Sequence, residues 1–281
     1  MPVDRMHTNY IQRVASLQPS ATVIMQELGL LDRLVACTRY CRDVCPEIAD
    51  RVILADSWTA QAEQILSVRP DLVLASVPYQ EKSVIEILKS AIPVLLLSPR
   101  RLADIYADIA LIAGVLGEPQ RASTVITNMQ NAIAEVRSLN PSGSRPHVFC
   151  EEWGKPIIHS QLWVAELVET AGGDFIGEPG THTTAEAIRS ADPDVVIAAW
   201  CGAGDRVPLE KIVRDRAWDQ TSAAQSTRVF CIPDEWLNTP APTLIHGLRA
   251  LAAAIHPEIF PAPARLRRIN AVNHAPATTS Q

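Results

Sequence analysis

The feature that most constrains the fold is a short phrase that occurs twice. Arg69-Pro70-Asp71 leads into the apolar run Leu72 to Ala75. Asp192-Pro193-Asp194 leads in the same way into Val195 to Ala198. In both copies the proline follows a helical pattern and opens a buried run, where it ends a helix and removes no hydrogen bond from a sheet. The repeat predicts that the two halves of the chain are versions of one folding unit.

Short runs rich in Val, Ile and Leu alternate with helical patterns in both halves. That alternation is typical of mainly parallel sheets covered by helices. The predicted strands are Val14 to Leu17, Leu34 to Thr38, Val52 to Leu54, Leu72 to Ala75, Val94 to Leu97, Val148 to Cys150, Ile157 to His159, Val195 to Ala199 and Val229 to Ile232. The predicted fold class is α/β, with two Rossmann-like lobes whose central, mainly parallel sheets are joined by a long backbone helix.

Two helical patterns connect the predicted lobes. The first covers Leu102 to Leu116 and ends at Gly117, and the second begins at Pro119 and reaches about Leu139. A helix of about twenty residues is roughly 30 Å long, so we expect a stiff connection that permits only small rocking of the lobes. The predicted domains are an N-terminal lobe at 11–99, connecting helices at 100–144, a C-terminal lobe at 145–260 and a disordered tail at 261–281.

Charge and hydropathy exclude two classes of interaction. The formal net charge is -6 and no long run of Lys and Arg occurs, so the chain lacks the positive surface that nucleic-acid binding requires. No apolar segment reaches the roughly 18 residues of a membrane span. The first ten residues contain no apolar stretch typical of a signal peptide, which predicts a cytoplasmic protein. A periplasmic or cell-surface location stays open if the native chain begins further upstream.

Aromatic residues, which make up only 5% of the chain, follow the predicted strands in both halves. Four tryptophans stand at or just after a strand end: Trp58, Trp153, Trp200 and Trp236. Tyr40 and Tyr79 occupy the matching positions after two more strands. Ligands of parallel sheets bind beyond the carboxyl ends of the strands, so these residues predict a cleft between the lobes that stacks on a large, partly apolar ligand. The alternative is that each tryptophan caps the core of its own lobe.

Acidic residues are predicted at the same edge of the C-terminal sheet: Glu151, Glu152, Asp205, Asp234 and Glu235. Because two carboxylates could perform acid–base chemistry, a two-lobed enzyme that uses Glu151 and Glu152 is one alternative function. No Ser-His-Asp arrangement, His-Glu-x-x-His helix or phosphate-binding glycine loop accompanies them. We therefore interpret the acids as solvated rim residues or ligand hydrogen-bond acceptors, and expect the protein not to be an enzyme.

Three cysteines are evenly spaced after one predicted strand: Cys37, Cys41 and Cys45. Cys37 ends the strand and is expected to be buried. Cys41 and Cys45 are expected to be exposed in a loop, with Cys41 at the mouth of the cleft. Together with Cys201 these two are candidate ligands for a soft metal or an iron–sulfur cluster, although zinc and ferredoxin sites use other spacings. Unrelated thiols are the interpretation that we favour.

Segments of both halves resemble a known protein family. In the N-terminal half they are VASLQPSAT at 14–22, ELGL at 27–30, TRYC at 38–41 and RPDLV at 69–73. In the C-terminal half they are EW at 152–153, WVAELVE at 163–169, AGG at 171–173, NTPAP at 238–242 and GL at 247–248. Over about residues 11–258 the chain resembles the helical-backbone, cobalamin- and siderophore-type substrate-binding proteins of ABC transporters. The C-terminal segments look like the cobalamin-binding branch.

The resemblance implies a non-catalytic protein whose cleft holds a cobalamin, a related corrinoid or another metal chelate, with no cofactor required. It also implies an ABC permease as partner of exported members, with Glu81 as the docking residue of the N-terminal lobe. Because no export signal or lipoprotein cysteine is evident, we expect an intracellular carrier or sensor. The strand-end positions give the candidate ligand-binding residues: Tyr40, Cys41, Trp58, Tyr79, Glu152, Trp153, Trp200, Cys201 and Trp236.

Overall fold

The chain forms two compact units, each with its own sheet. A computed structural model of the protein describes residues 11–76 and 81–270, with the backbone alone at Glu81. The N-terminal unit comprises the described residues up to Gln130 together with Pro240–Pro242, and the C-terminal unit comprises Asn131–Thr239 and the described residues from Thr243 onward. A parallel sheet in one unit and a mixed sheet in the other confirm the predicted α/β fold class.

The N-terminal unit is built on a five-stranded parallel sheet. Its strands are β1 Val14–Ser16, β2 Leu34–Thr38, β3 Val52–Leu54, β4 Leu72–Ser76 and β5 Val94–Leu97. They lie in the order β3-β2-β1-β4-β5, which is the order of the first five strands of a Rossmann sheet. The helices are α1 Pro19–Glu27, α2 Arg39–Val44, α3 Ala62–Ser67, α4 Glu81–Lys89, α5 Leu102–Val115 and α6 Pro119–Leu139, the last of which runs into the C-terminal unit.

The C-terminal unit contains a seven-stranded mixed sheet within the described residues. Its strands are β6 His147–Gly154, β7 Ile157–His159, β8 Asp174–Phe175, β9 His182–Thr183, β10 Val195–Ala198, β11 Val229–Cys231 and β12 Arg267–Arg268. The order is β12-β11-β10-β6-β7-β9, with β8 also beside β6. Strands β6, β8, β10 and β11 are parallel, whereas β7 and β12 run antiparallel to their neighbours. The helices are α7 Leu162–Thr170, α8 Ala185–Ala191, α9 Leu209–Asp215, α10 Ser222–Gln225 and α11 Leu244–Ile255.

The repeated phrase adopts the same local structure in both units. Its first residue is left-handed in each copy, with φ of 46° at Arg69 and 45° at Asp192. The aspartate after the proline then holds the start of the neighbouring parallel strand. Asp71 accepts from the backbone N–H of Arg13 at 2.9 Å, and Asp194 accepts from that of His147 at 2.7 Å. The shared sequence therefore sets the register of each unit's first strand.

The two predicted connecting helices are present as α5 and α6. Gly117 between them adopts a left-handed φ of 75°, which suits a glycine after a helix end. Arg33 donates to the Leu116 carbonyl at 2.5 Å and pairs with Glu118 at 3.1 Å. These bonds fix the turn between the helices to the N-terminal unit. None of the helices in the two described ranges has the length and apolar character needed to cross a bilayer.

The segment from 264 to 270 corrects the predicted disordered tail. Arg267–Arg268 forms β12 on the free edge of β11, and Ile269 is buried in the core beside it. The prediction was wrong here because a two-residue strand has no apolar period, and its stability comes from pairing with β11. Residues 271–281 of the predicted tail lie outside the described residues.

Candidate functional site

The end of β6 meets the end of β10 at the point where the strand order of the C-terminal sheet reverses. From β6 the chain builds β7 and β9 on one side, and later β10 and β11 on the other. Ligands of open α/β sheets bind beyond the carboxyl ends of the strands at such a switch point. We call the residues there, Glu151–Trp153, Trp200–Asp205 and Asp234–Asn238, the β6–β10 edge.

Glu152 and Cys201 are neighbours at this edge. The Cys201 amide donates to the Glu152 carbonyl at 3.1 Å, and its Sγ lies 3.9 Å from Glu152 Oε1. Gln161 Nε2 donates to the other carboxylate oxygen at 2.7 Å. The β6–β7 register shifts between Glu151 and Trp153, so Glu152 sits in a β-bulge, a feature that often re-aims a side chain beside a binding site. Desolvation raises the pKa of the Glu152 carboxyl.

Asp234 and Asn238 hold the loop after β10 in place. The Asp234 carboxylate accepts from the amides of Gly202 at 2.8 Å and Gly204 at 2.7 Å. Both glycines have a left-handed φ, 78° and 59°, that other residues adopt only with strain. Asn238 Nδ2 donates to the Ala199 carbonyl at 2.6 Å and to Cys201 Sγ at 3.3 Å. The loop is therefore pre-ordered by side chains that lie beyond β11 in the chain.

Glu151 is not available at the edge. Its side chain is fully buried and makes two hydrogen bonds of 2.7 Å with the guanidinium of Arg216. Burial raises the pKa of the Glu151 carboxyl, and the charge and hydrogen bonds of Arg216 oppose that rise. The enzyme alternative needs Glu151 and Glu152 as an exposed pair, and the structure separates them into a buried ion-pair member and an edge residue.

Trp200 packs inward instead of presenting its ring at the edge. It lies against the hydrophobic core of the C-terminal unit. A Cβ at Gly154 would overlap its indole ring, and the Arg216 guanidinium lies 5.9 Å from the ring centroid. The same guanidinium lies 4.8 Å from the Trp218 ring. For Trp200 the alternative interpretation, that the tryptophan caps its own core, describes the structure better than ligand stacking.

Trp153 and Trp236 do lie at the edge. Trp153 is 43% exposed, with its indole N–H donating to the Lys155 carbonyl at 3.0 Å. Trp236 is half-buried and contacts His246 of α11, with ring centroids 5.5 Å apart. The exposed ring of Trp153 is thus the largest apolar surface offered by the edge. Of the four tryptophans predicted to share one cleft, Trp200 packs into the core instead; that Trp58, Trp153 and Trp236 share a cleft stays a prediction.

The N-terminal sheet has its own switch point, between β1 and β4. Ser76 at the end of β4 donates to Gln18 Oε1, just after β1, at 3.0 Å. Ser57 Oγ donates to the Leu17 carbonyl at 3.1 Å. Gln18, Ser57 and Ser76 were not among the predicted site residues, although each stands within three residues of a strand end. That position is the signal that would have found them.

The aromatic candidates of the N-terminal unit occupy different settings. Trp58 is 41% exposed, in a loop whose amides at 58 and 59 donate to Asp56 Oδ1. Tyr40 is half-buried, and the Arg39 guanidinium covers its ring at 4.5 Å from the centroid. Tyr79 lies outside the described residues. Glu81 is the first residue of α4, and only its backbone is described.

The cysteine predictions are wrong for two positions. Cys37 is buried as expected, but Cys41 and Cys45 are buried as well. The reason is that 39–44 forms helix α2, capped by Thr38, whose Oγ1 accepts from the Cys41 amide at 3.2 Å. The helix turns Cys41 toward Ser16, whose carbonyl lies 3.7 Å from its Sγ. Cys41 is therefore not at an exposed mouth.

Cys201 is the exposed cysteine of the described residues. Desolvation of its Sγ and the carboxylates of Glu152 and Asp234 raise the pKa of the Cys201 thiol to about 12. A thiol is a poor metal ligand until it is deprotonated. Within residues 11–76 and 81–270, no group of three or more His, Cys, Asp or Glu side chains is arranged to hold a metal ion. The site therefore offers no support for the proposed soft-metal set of Cys41, Cys45 and Cys201.

Comparison with known proteins adds a family and two named relatives. The family model described as periplasmic binding protein matches residues 14–236. The uncharacterized ABC transporter substrate-binding lipoprotein YvrC of Bacillus subtilis is 24% identical over 264 residues, which cover 89% of this chain and 81% of that protein. The vitamin B12-binding protein of Pectobacterium atrosepticum is 26% identical over 257 residues, which cover 87% of this chain and 88% of that protein.

A solved structure shows the same fold. The crystal structure of a periplasmic heme-binding protein from Pseudomonas aeruginosa matches with a TM-score of 0.78 and 20% identity, over 92% of this chain and 98% of that one. The expected cytoplasmic location is wrong, because the family that matches is that of the periplasmic binding proteins. In addition, YvrC, which matches 89% of this chain, is a lipoprotein. The expectation relied on Met1 being the native start of the chain, and the first ten residues do not by themselves support a location.

Removing one partner of the Glu151–Arg216 pair should destabilise the fold strongly. Arg216→Met leaves the Glu151 carboxylate buried without a partner, so we expect the free energy of unfolding in urea to fall by about 3–5 kcal/mol. The double variant Glu151→Met/Arg216→Met should lose less free energy of unfolding than the sum of the losses in the two single variants. Arg214→Met is the matched control, because Arg214 is 71% exposed and should change stability by less than about 0.5 kcal/mol. If the loss in the double variant equalled the sum of the two single losses, Glu151 and Arg216 would not be energetically coupled, and the prediction would be wrong.

Thiol labelling of the native protein should begin at Cys201, because the other five cysteines are buried. With its pKa raised to about 12, the rate of iodoacetamide modification should keep rising between pH 8 and 10, where a free cysteine levels off. At pH 8 the lower thiolate fraction, partly offset by higher nucleophilicity, predicts labelling roughly 30-fold slower than free cysteine. Mass spectrometry identifies the site, and Cys201→Ser is the control. Earlier modification of Cys41 would refute this placement.

Proposed function

Because the chain belongs to the periplasmic binding protein family, we propose that it binds a cobalamin-type corrinoid and delivers it, chemically unchanged, to an ABC permease. The observation that carries the proposal is the β6–β10 edge, where an exposed tryptophan stands beside a half-buried carboxyl at a switch point. Glu151, which the enzyme alternative needs beside Glu152, is buried against Arg216. This arrangement suits binding better than acid–base catalysis.

The chemistry of the edge fits a corrinoid. A corrin ring is large, flat and partly apolar, and its rim carries amide side chains. The indole of Trp153 offers an exposed aromatic face to such a ring. Glu152 offers acceptor oxygens for amide N–H groups, and Gln161 already orients that carboxyl. A few oriented polar groups beside an aromatic surface are typical of small-molecule sites.

Heme is the second candidate, since the heme-binding protein of Pseudomonas aeruginosa shares the fold. The charges at the edge favour the corrinoid. Glu235 and Asp205 are paired with Arg265, but the carboxyl groups of Glu152 and Asp234 have no salt-bridge partner among the described residues. Heme carries two anionic propionates that these groups would repel, whereas the rim of cobalamin carries neutral amides. The vitamin B12-binding relative supports the same choice.

The permease contact is part of the proposal. Glu81 begins α4 in the N-terminal unit, and a carboxylate can form bidentate hydrogen bonds with arginine side chains of a permease. We propose Glu81 as that docking residue. The ligand-binding role does not depend on it, because Glu81 and the β6–β10 edge belong to different units.

Isothermal titration calorimetry tests the ligand. We expect cyanocobalamin to bind one site with a dissociation constant of about 1 μM or tighter and hemin to bind at least tenfold more weakly. Trp153→Ala removes the exposed ring, and Glu152→Gln removes the acceptor charge. Each should weaken cyanocobalamin binding by roughly five- to tenfold, because about 1 kcal/mol of contact is lost.

Glu135→Gln on α6 is the matched control for Glu152→Gln, because Glu135 is exposed and lies on a helix that contributes no residue to the edge. It should leave the affinity unchanged. If hemin bound more tightly than cyanocobalamin, the proposal of a corrinoid ligand would be wrong, and heme would be the better candidate ligand. Absence of binding to either macrocycle would overturn the proposed function.

A further inference from the structure

The segment from 264 to 270 runs along the outer edge of β11. Strand β12 pairs antiparallel with β11, with Arg268 opposite Phe230 and Arg267 opposite Cys231. The Ile269 amide continues the pairing by donating to the Val229 carbonyl at 2.9 Å. Because the pair is antiparallel, residues before Arg267 lie beyond the carboxyl end of β11. Arg265 is therefore brought to the side of the sheet that carries the β6–β10 edge.

Arg265 contacts two separate parts of that edge. Its Nη1 donates to Glu235 Oε1 at 2.5 Å, and its Nε lies 3.8 Å from Asp205 Oδ2. The guanidinium carbon also lies 5.3 Å from the centroid of the Trp236 ring, within the range of a cation–π contact. One side chain thus links the loop after β10 with the short helix Asp234–Trp236.

Arg267 and helix α11 also hold the loop after β10 and the residue Trp236. The Arg267 guanidinium donates to the carbonyls of Asp205 and Val207. Helix α11 supports Trp236 through His246, and a Cβ at Gly247 would overlap the Trp236 carbonyl. The backbone of Trp236 is therefore fixed by α11, while the guanidinium of Arg265 restrains its ring and the adjacent acidic groups.

Arg265 is expected to contribute more to the order of the loops at the edge than to the free energy of unfolding. The Arg265 side chain is 45% exposed, and exposed ion pairs contribute little to folding stability. Ordering a loop before the ligand arrives is different, because it removes entropy that binding would otherwise have to overcome. Loss of Arg265 should consequently affect loop order and ligand retention far more than global unfolding.

We infer that Arg265 is a positioning residue, which holds Trp236 and the loop Gly202–Asp205 in the arrangement that receives the ligand. The inference rests on the proposed function for the ligand itself. Arg265 acts through Trp236, Glu235 and Asp205, and it need not touch the ligand.

The test compares Arg265→Gln with Arg268→Gln in the full chain. Arg268 lies three residues along the same segment, but its guanidinium donates to Thr227 and Ser226, at the opposite end of β11. In the ligand-free protein, hydrogen exchange of peptides covering 200–206 and 234–238 should become about tenfold faster in Arg265→Gln. It should stay unchanged in Arg268→Gln, and the urea midpoint of Arg265→Gln should match that of the unmodified chain.

Cyanocobalamin binding supplies the second readout. Arg265→Gln should weaken affinity about fivefold, mainly through faster dissociation in stopped-flow measurements. Arg265→Lys should recover most of that loss, because it keeps the cation beside Trp236. In a Trp236→Leu background, Arg265→Gln should have a smaller effect, since the group through which it acts is gone.

Unchanged exchange at 200–206 and 234–238 in Arg265→Gln would overturn the inference, as would an equal effect of Arg268→Gln. If the unmodified chain fails to bind cyanocobalamin, the proposed function fails, and the exchange measurement still decides whether Arg265 positions the loops.

Discussion

The β6–β10 edge depends on the buried ion pair between Glu151 and Arg216. Two charges removed from water cost several kcal/mol each, and only good geometry with further hydrogen bonds offsets that cost. The pair meets this condition through two bonds of 2.7 Å and a third from Arg216 to the Gly154 carbonyl at 3.0 Å. The pair and this third bond therefore join the end of α9 to two points of β6, at Glu151 and at its last residue, Gly154.

The residues after Glu151 depend on that anchor for their positions. With Glu151 held inward, the bulge at Glu152 directs the next carboxyl to the edge, and Trp153 comes after it in an exposed position. Trp200 packs over Arg216 and against Gly154, so it closes the core below the edge. The loop after β10 then needs its own support, which the chain beyond β11 supplies through Asp234. The positions of Glu152 and Trp153 thus depend on the Glu151–Arg216 pair, and the position of the loop after β10 depends on Asp234.

The parts of the fold that have a local period were predictable from the sequence. Apolar runs predicted β2, β3, β5 and β7 at their observed bounds, and Gly117 and Pro119 predicted the break between α5 and α6. The two-residue strands β8, β9 and β12 carry no such period and exist only through their partners. The charged residues at 42–43 and the proline at 46 predicted a loop, but residues 39–44 form a helix of only six residues that is capped by Thr38. For this reason Cys41 was predicted to be exposed, whereas the structure has it buried.

The site was predictable to the extent that it lies at strand ends. The strand-end rule predicted Glu152, Trp153 and Cys201 at this edge of the sheet, where the structure has them, and it also predicted the acidic residues around Asp234 there. Their contact with a ligand stays a prediction. Arg216 was not, because its partner Glu151 lies 65 residues away and no local pattern links them. The same limit explains why Trp200 was expected at the edge, since only the fold shows that Gly154 and Arg216 occupy the space around its ring.

A corrinoid bound at the β6–β10 edge would place its cobalt near Trp153 and Glu152. The most direct measurement is an anomalous difference map, recorded at the cobalt absorption edge, from crystals of the protein grown with cyanocobalamin. We expect a single strong cobalt peak beyond the carboxyl ends of β6 and β10, on the side where Trp153 and Glu152 lie. A cobalt peak at the amino ends of these strands, or at a surface remote from them, would contradict this expectation.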